Sequence, residues 1–334
     1  MTFKFKDVYL LDSFLVAGSL EGSGPLRKYL DYVKDFDGDC FENSEISSLQ
    51  ASIDLLLEKL NMKIDDIDLA ISGELSNQLA TTSYAFRSLL ISIIGVYAAC
   101  STITLGLGLA GLLLGNENIN KVLVCTSSNN QSAERQFRNP NEYGGEKENT
   151  QTFTSTIAAS AILTNEKSNI QITEFTLGKI IDVGFTDPSD FGRAMAPAAI
   201  ESLLTHFKNT NTTPFDYDLI LTGDLSTYGS DIVKSELEKE FGYISNYNDC
   251  GLILYDTQSQ DVFAGGSGPG TSAGVLFSYV KEKMLNKELN KVILCATGAL
   301  MNPTMINQKN SIPCIAHLIV LTRVQEWWYI YMRF

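Results

Sequence analysis

The sequence predicts an α/β fold built from two duplicated βαβαβ halves, and two repeated sequence motifs support this prediction. The first reads DIDLAISGELS at residues 66–76 and returns as DYDLILTGDLS at 216–226. The second reads NKVLVCTS at 120–127 and returns as NKVILCAT at 290–297. Because both pairs occur in the same order, they indicate an internal duplication. The alternation of strands and helices in each half favours right-handed crossovers and a mainly parallel sheet with helices on its faces.

The individual elements follow from the hydrophobic pattern. Apolar residues spaced as on one helix face predict a helix from Ser44 to Leu60. Short apolar runs bounded by turn residues predict strands over Phe5 to Val16, Leu69 to Ser72, Leu89 to Ile94 and Thr152 to Leu163. A turn rich in Asp, Pro and Gly leads into a second-half helix after residue 186. The halves are predicted as residues 1–165 and 166–323, followed by an atypical aromatic tail, VQEWWYIYMRF, within residues 324–334.

An uncharged stretch from Ser88 to Gly115 carries Cys100 near its middle. It is long enough to span a bilayer, but turn residues divide it into a predicted buried strand, Leu89 to Ile94, and a predicted buried helix, Ser101 to Gly115. Cys100 then lies at the helix N-terminus, where unpaired N–H groups and the helix dipole lower a thiol pKa and attract anions. The alternative is that Cys100 is a small buried hydrophobic residue.

The composition excludes several classes of partner and site. The formal net charge of -14 and a sequence pI near 4.6 argue against general affinity for nucleic acid or anionic lipid. No signal peptide is expected, because the first residues are not followed by an apolar run. The six cysteines show no paired CxxC spacing, and no His/carboxylate cluster suits a metal. Reduced thiols in a cytoplasmic-type compartment are therefore expected.

Two histidines are available as imidazoles, His206 and His317. His206 lies in a segment predicted to form an amphipathic helix, ESLLTHFKN, and is predicted to be a surface residue. His317 lies at the entry to a buried strand, beside Cys314. It is either a satisfied core histidine or a residue that reaches Cys100, and a Cys–His pair would be the start of nucleophilic catalysis.

Several long sequence motifs of unusual composition resemble motifs of the stage V sporulation protein AD family of endospore-forming bacteria. They are AACST at 98–102, AERQFRNPNEYGG at 133–145, TDPSDFGRAMAPAA at 186–199, DYDLILTGDLSTYGS at 216–230, NDCG at 248–251, VFAGGSG at 262–268 and ATGALMNPTMINQKNSIPCIAH at 296–317. The duplicated halves and the ACST motif are also similar to those of the 3-oxoacyl synthase branch of the thiolase superfamily. The resemblance implies a thiolase-like fold with a layered α/β/α/β/α structure.

The same resemblance implies a function without established enzyme activity. It implies binding of dipicolinic acid (pyridine-2,6-dicarboxylate) and a part in its uptake into the developing endospore, alongside the other proteins of the stage V sporulation operon. The expected location is intracellular in the sporulating cell, peripheral at the spore inner membrane. Superfamily members usually dimerise through the strand before the nucleophile helix, so a homodimer through about Leu89 to Ile94 is expected here.

The position of the family's catalytic base decides the enzyme prediction. In the superfamily, the cysteine that matches Cys100 is acylated by a thioester, and a histidine at the equivalent second-half helix acts as the base. Here that position reads Gly268-Pro269-Gly270, so a non-enzymatic binding protein is predicted. The alternative is an acyl-transferring, condensing enzyme with Cys100 as nucleophile and His317 as base.

A flat dianion is bound by helix N-termini, guanidinium groups and backbone N–H groups. The duplication directs two helix N-termini, at Cys100 and Gly270, toward a shared cleft. Arg135 and Arg138 share one face if their segment is helical, although each candidate arginine is alternatively a surface ion pair. The predicted ligand-binding residues are Cys100, Asn129, Arg135, Arg138, Arg193, Gly268, Gly270, Lys309 and His317. No cofactor or metal site is expected, and whether Ca²⁺ accompanies the ligand is left open.

Overall fold

A computed structural model of the chain describes residues 1–34, 41–138 and 144–324. Most of the aromatic tail predicted at 324–334 therefore lies outside the described residues. The strands, in chain order, are Thr2–Lys4 (β1), Tyr9–Ala17 (β2), Tyr32–Val33 (β3), Leu69–Gly73 (β4), Ile93–Gly95 (β5), Lys121–Ser128 (β6), Phe153–Thr154 (β7), Ile157–Thr164 (β8), Ile170–Thr176 (β9), Leu219–Thr222 (β10), Tyr247–Asp249 (β11), Gly266–Ser267 (β12), Lys291–Ala299 (β13) and Cys314–Arg323 (β14).

The α-helices alternate with these strands in both halves of the chain. They are Ser19–Gly22 (α1), Phe41–Lys59 (α2), Ala80–Phe86 (α3), Thr102–Leu113 (α4), Asn130–Phe137 (α5), Phe191–Thr210 (α6), Ser226–Phe241 (α7), Cys250–Leu254 (α8), Pro269–Val275 (α9), Lys281–Leu285 (α10) and Pro303–Asn307 (α11). A π-helical turn, Leu276–Val280, connects α9 to α10.

Within the described residues, 12 strands form one hydrogen-bonded sheet in the order β11-β10-β13-β14-β9-β2-β8-β6-β4-β5, with β1 on β9 and β3 on β2. The pairs β4/β6 and β10/β13 are parallel, as βαβ crossovers require. Strands β8, β2, β9 and β14 pair antiparallel with their neighbours along this path. The sheet is therefore mixed rather than mainly parallel, because each half adds antiparallel strands to its crossover units.

Two helices lie between the halves of the sheet. Helix α4 contacts β4 and β6 of the first half and β13 and β14 of the second, and α9 contacts β6, β8 and β13. Helices α2 and α6 cover the outer faces, α2 on β2 and β8 and α6 on β13 and β14. The predicted layered α/β/α/β/α structure is confirmed. The small residues of α4 permit this burial on both sides, since a Cβ on Gly108 would lie 2.4 Å from the Phe175 ring.

The predicted duplication is visible in matching contacts. In the first half, Asp68 accepts hydrogen bonds from the backbone N–H groups of Asn120 and Lys121, at 2.7 and 3.0 Å. In the second half, Asp218 accepts them from the two residues at the start of β13, at 2.6 and 2.9 Å. The repeated sequence motifs thus form equivalent strand pairs in the two halves, β4/β6 and β10/β13. The division of the chain between residues 165 and 166 stays a prediction.

The strand predicted as buried over Leu89 to Ile94 differs most from the structure. It is a short strand, β5, at the edge of the sheet beside β4, and both Ile93 and Ile94 are 38% exposed. Leu90 is 96% exposed. The apolar run was interpreted as core because hydrophobicity does not distinguish a central strand from an edge strand that keeps its apolar face uncovered.

The apolar segment around Cys100 does not form a long helix. Helix α4 has only 12 residues, because the residues before it belong to the edge strand and to the turn that contains Cys100. No helix in the described ranges is long and apolar enough to cross a membrane.

Candidate functional site

A pocket opens where the N-terminal ends of α4 and α9 meet helices α5 and α6. It has about 440 Å³ of empty volume, part of which is open to solvent. Its walls are mostly apolar, with one thiol, three hydroxyls and one guanidinium. The described lining residues are Leu75, Tyr97, Ala99, Cys100, Ala133, Phe137, Arg138, Thr154, Phe191, Met195, Ser267, Ala299 and Met301.

Cys100 lies in a short 3₁₀ turn, Ala99–Ser101, directly before α4. Its predicted position at the helix N-terminus is confirmed. The preceding residue, Ala99, has φ of 48°, a left-handed conformation that costs free energy in a non-glycine residue and is found often at functional sites. The thiol is 9% exposed at the pocket wall and interacts with Asp224, Ser267 and the backbone of Gly268.

Asp224 belongs to the candidate site, although the sequence did not predict it. Its side chain is fully buried, and Oδ1 accepts a 2.6 Å hydrogen bond from Thr297 Oγ1. Its Oδ2 accepts hydrogen bonds from the Gly268 N–H at 3.1 Å and from Ser267 Oγ at 3.3 Å. Burial raises the pKa of Asp224 to about 6, and the hydrogen bonds from Thr297, Cys100, Gly268 and Ser267 act against that rise.

The lowered pKa predicted for the Cys100 thiol is contradicted by its surroundings, which fit the alternative of a buried cysteine. Burial, and after it the charge and hydrogen bond of Asp224, raise the pKa of the Cys100 thiol well above its ordinary value. The Gly268 N–H and Ser267 favour the thiolate but do not outweigh these effects. Unpaired N–H groups and the helix dipole favour a thiolate at a helix N-terminus, but desolvation and a like charge disfavour ionisation.

The duplication contained a signal for Asp224. Asp224 in LILTGDLS matches Glu74 in LAISGELS, and both acids follow a central parallel strand, β10 or β4. Ligand sites in such sheets lie beyond the carboxyl ends of the strands. Glu74 is also fully buried and accepts a 2.9 Å hydrogen bond from Ser76.

The glycine turn predicted opposite Cys100 lies beside it. Gly268 has φ of 95°, in the region that favours glycine, and its N–H donates to Asp224. The Gly270 N–H instead donates to Ser128 Oγ at 3.2 Å. The two helix ends therefore meet as predicted at Gly268, while the N–H of Gly270 is used inside the fold.

His317 is buried and lies outside the pocket lining. Its Nδ1 accepts a 3.1 Å hydrogen bond from the backbone N–H of Gly178, and burial lowers its pKa to about 4. In the described part of the chain, no hydrogen bond joins His317 to Cys100. Of the two interpretations offered by the sequence, these contacts favour the satisfied core histidine.

Arg138 is the basic residue among the described pocket-lining residues. Its side chain is 8% exposed and forms a 2.8 Å ion pair with Glu134. The same nitrogen, Nη1, donates a 2.7 Å hydrogen bond to the carbonyl of Thr152. The guanidinium lies over the Phe191 ring, 5.0 Å from its centroid. Glu134 also pairs with Lys147 at 3.1 Å.

Three other predicted cations lie outside the pocket lining. Arg135 pairs with Glu42 and lies over the Phe41 ring, because α5 ends at Phe137 and Arg138 turns away from the face that carries Arg135. Arg193 pairs with Asp190 at 2.6 Å. Lys309 is exposed beyond the end of α11. For Arg135 and Arg193 the structure thus shows the alternative of a surface ion pair.

Asn129 caps helix α5, where its Oδ1 accepts a 3.2 Å hydrogen bond from the Ser132 N–H. It lines a small crevice that shares Leu75, Ala133 and Phe137 with the Cys100 pocket. Asn129 is therefore adjacent to the pocket rather than in its wall.

His206 was predicted to be a surface residue, and this is wrong. It is fully buried, with Nδ1 2.9 Å from Thr176 Oγ1 and Nε2 2.9 Å from the Tyr217 hydroxyl. Burial, with smaller effects of Lys291 and Lys4, lowers its pKa to about 3. The inner face of α6 packs on β13 and β14, and this packing was not visible in the polar residues that surround His206 in sequence.

Across residues 1–34, 41–138 and 144–324, no group of three or more His, Cys, Asp or Glu side chains is placed to hold a metal ion.

Comparison with known proteins identifies the family. The sequence model of the family described as Stage V sporulation protein AD matches residues 1–322. The chain belongs to the stage V sporulation protein AD family. The protein of that name from Bacillus subtilis (strain 168) is 43% identical over 321 residues, which cover 95% of this chain and 94% of the relative. Membership of the stage V sporulation protein AD family connects the chain with sporulation.

Solved structures show which fold this member of the stage V sporulation protein AD family has. A 3-oxoacyl-[acyl-carrier-protein] synthase III from Aquifex aeolicus VF5 aligns with a TM-score of 0.58 at 10% identity, covering 94% of this chain and 99% of the synthase. Cerulenin-bound OleA from Xanthomonas campestris aligns with a TM-score of 0.64 at 13% identity, covering 96% of this chain and 100% of OleA. The predicted thiolase-like fold is confirmed.

Proposed function

We propose that this chain is a non-enzymatic subunit that binds dipicolinic acid in the Cys100 pocket and serves its uptake into the developing endospore. Family membership supports the connection with sporulation. The observation that carries the proposal is the position of Arg138, a nearly buried guanidinium in a pocket whose other described walls are mostly apolar and aromatic. A flat aromatic acid matches both features.

Arg138 supplies the charge that a carboxylate needs. A guanidinium has five N–H donors, and the bonds described for Arg138, to Glu134 and to the carbonyl and hydroxyl of Thr152, account for three of them. Glu134 is shared with Lys147, so the three charged groups together carry one net positive charge. In a nearly buried site this charge is only weakly screened, and charge-assisted hydrogen bonds there are among the stronger ones.

The aromatic walls suit the ring of the ligand. Tyr97, Phe137 and Phe191 line the pocket, and aromatic rings pack favourably on one another in offset or edge-to-face arrangements. Met195 and Met301 complete the apolar surface and adapt to irregular shapes. Small-molecule sites commonly combine such apolar walls with a few placed polar groups.

Titration of dipicolinate into the purified chain by calorimetry, with and without Ca²⁺, tests the proposal. Saturable binding by high-micromolar ligand is expected, and pyridine-2-carboxylate, which lacks the second carboxylate, should bind more weakly. Absence of saturable binding in both titrations would overturn the proposal. Comparison of the two titrations also determines whether calcium accompanies the ligand.

The Cys100 thiol in the pocket wall favours a second candidate function, acyl transfer with Cys100 as nucleophile. His317, the base that the sequence offers for this reaction, would have to move from its place outside the pocket lining. This function requires an acyl-enzyme. Incubation with an acyl-CoA would then add the acyl mass to the wild-type chain and not to Cys100→Ala. A mass shift of that kind would replace the binding proposal by the enzymatic one.

The proposed partners follow from the edge of the sheet and from the family. Strand β5 has the described neighbour β4 on one side, and its residues Ile93 and Ile94 are exposed, as is the preceding Leu90. A second copy of the chain paired at this edge would cover these side chains and Tyr97, which also lines the pocket. We further propose that the dimer works with other stage V sporulation operon proteins, peripherally at the spore inner membrane of the sporulating cell.

A further inference from the structure

The buried carboxylate of Asp224 and the thiol of Cys100 share the same small group of neighbours. Ser267 and Gly268 both donate to Asp224 Oδ2, and both also interact with the Cys100 thiol. Cys100 and Ser267 line the pocket, whereas Asp224 lies behind them. Asp224 is therefore placed to act on the thiol without contacting a ligand in the pocket.

The hydrogen bonds of Asp224 all have the carboxylate as acceptor. Thr297 donates to one oxygen, and Ser267 and Gly268 donate to the other. These donors hold a negative charge at a position with no solvent exposure. A thiolate at Cys100 would be a second negative charge in the same buried space, and two like charges at short range in low dielectric repel strongly.

Two further titratable groups near this site, Tyr97 and Asp249, are also acidic. Tyr97 interacts with both Cys100 and Glu74, and Asp249 interacts with Asp224 from the start of α8. Arg138, the cation among the described lining residues, is already paired with Glu134. Among the groups that act on the Cys100 thiol, the Ser267 hydroxyl and the Gly268 N–H favour its ionised form, and neither carries a charge.

We propose that Asp224 is a positioning residue that, together with burial, keeps Cys100 a neutral hydrogen-bond donor, so that the pocket holds its ligand by contacts and not through a covalent bond to sulfur. A neutral thiol does not repel a dicarboxylate, and it is a poor nucleophile. The inference deepens the proposed binding function, but its test needs no dipicolinate. Failure of ligand binding and failure of this inference are therefore separate results.

The test is the pH dependence of alkylation at Cys100. Iodoacetamide is reacted with the folded chain from pH 6 to 10, and the modified peptide containing Cys100 is quantified by mass spectrometry, with Cys100→Ala providing the background from the other cysteines. We expect a wild-type rate that still rises above pH 9. In Asp224→Asn the apparent thiol pKa should fall by at least about one unit, which raises the rate at pH 8 about threefold after allowance for the lower nucleophilicity of a less basic thiolate.

Asp249→Asn is the matched control. Asp249 is an equally buried carboxylate, and its described hydrogen bonds go to Thr222, Leu225, Ser226 and Gly251 rather than to Cys100. Its substitution should leave the pH dependence of Cys100 alkylation unchanged. Equal acceleration in both variants would show a general loosening of the fold and overturn the inference. A wild-type profile with a midpoint below pH 8 would overturn it as well, even if Asp224→Asn does not fold.

Discussion

Ser128 Oγ accepts a 3.2 Å hydrogen bond from the backbone N–H of Gly270, which joins the end of β6 in one half to the first turn of α9 in the other. The approach is close because residue 270 has no side chain. A Cβ at this position would lie 2.6 Å from Ser128 Oγ and 2.8 Å from the carbonyl oxygen of Ile157. The contact fixes the glycine turn next to Cys100.

Gly270→Ala should therefore destabilise the fold by about 1–3 kcal/mol, because the Ile157 carbonyl belongs to a central strand and cannot move cheaply. Chemical denaturation gives the free energy of unfolding. Gly115→Ala is the control, since its Cβ would meet only the Leu112 carbonyl at 3.3 Å, at an exposed position. Equal stabilities of the two variants would contradict the close packing of the helix ends.

Arg138→Gln should weaken dipicolinate binding by roughly 10- to 100-fold, the effect of about 1.5–3 kcal/mol for a hydrogen bond to a charged group. Arg135→Gln is a matched control on the same segment, because Arg135 pairs with Glu42 away from the pocket. Its dissociation constant should stay within about twofold of the wild type, as should those of Arg193→Gln and Lys309→Gln. Calorimetric titration measures all four variants. A loss in Arg135→Gln as large as that in Arg138→Gln would place the anion site elsewhere.

Ile93→Lys should convert a dimer into a monomer. A charged side chain on an edge strand opposes pairing with another strand, and Ile93 is partly exposed on β5. Light scattering should give twice the 36.7 kDa of one chain for the wild type and a single chain mass for the variant. Ile232→Lys, at a similarly exposed apolar position on α7, should remain dimeric. A wild-type monomer at all concentrations would remove the edge strand as an interface.

The contribution of His206 to the free energy of unfolding should decrease on acidification because His206 is buried in its neutral form, whereas buried carboxyls with a raised pKa, such as Asp224, contribute in the opposite direction. The pKa of His206 is about 3 in the folded chain and near 6.5 when unfolded. Between these values the unfolded chain binds more protons, so the stabilising contribution is present above about pH 6.5 and is lost as pH falls through this range, by up to about 1.4 kcal/mol per pH unit.

His206→Gln removes this titration. Urea unfolding should show that the free energy of unfolding gains less between pH 4 and 7 in the variant than in the wild type, together with a lower stability at pH 7 from the changed hydrogen bonds to Thr176 and Tyr217. His317, with a pKa of about 4, contributes in the same direction and stays in the variant as an internal reference. An unchanged slope would mean that His206 is accessible to protons in the folded state.

Local patterns were sufficient for much of this protein. The two repeated sequence motifs predicted the β4/β6 and β10/β13 strand pairs, which the structure shows with matching contacts at Asp68 and Asp218. The turn residues around ACST placed Cys100 at a helix N-terminus, as observed. These features depend on neighbours in the chain, so the sequence itself contains the information.

Contacts between distant segments decided the rest. Burial, and after it Asp224, raise the pKa of Cys100, and His206 is enclosed by β9 and Tyr217. Arg135 and Arg138 point to different partners because α5 ends between them, and β5 lies at the edge of the sheet. Charge, burial and exposure are properties of the space around a side chain. The order of residues determined which groups the protein carries, and only the packing of the two halves decided which of them meet.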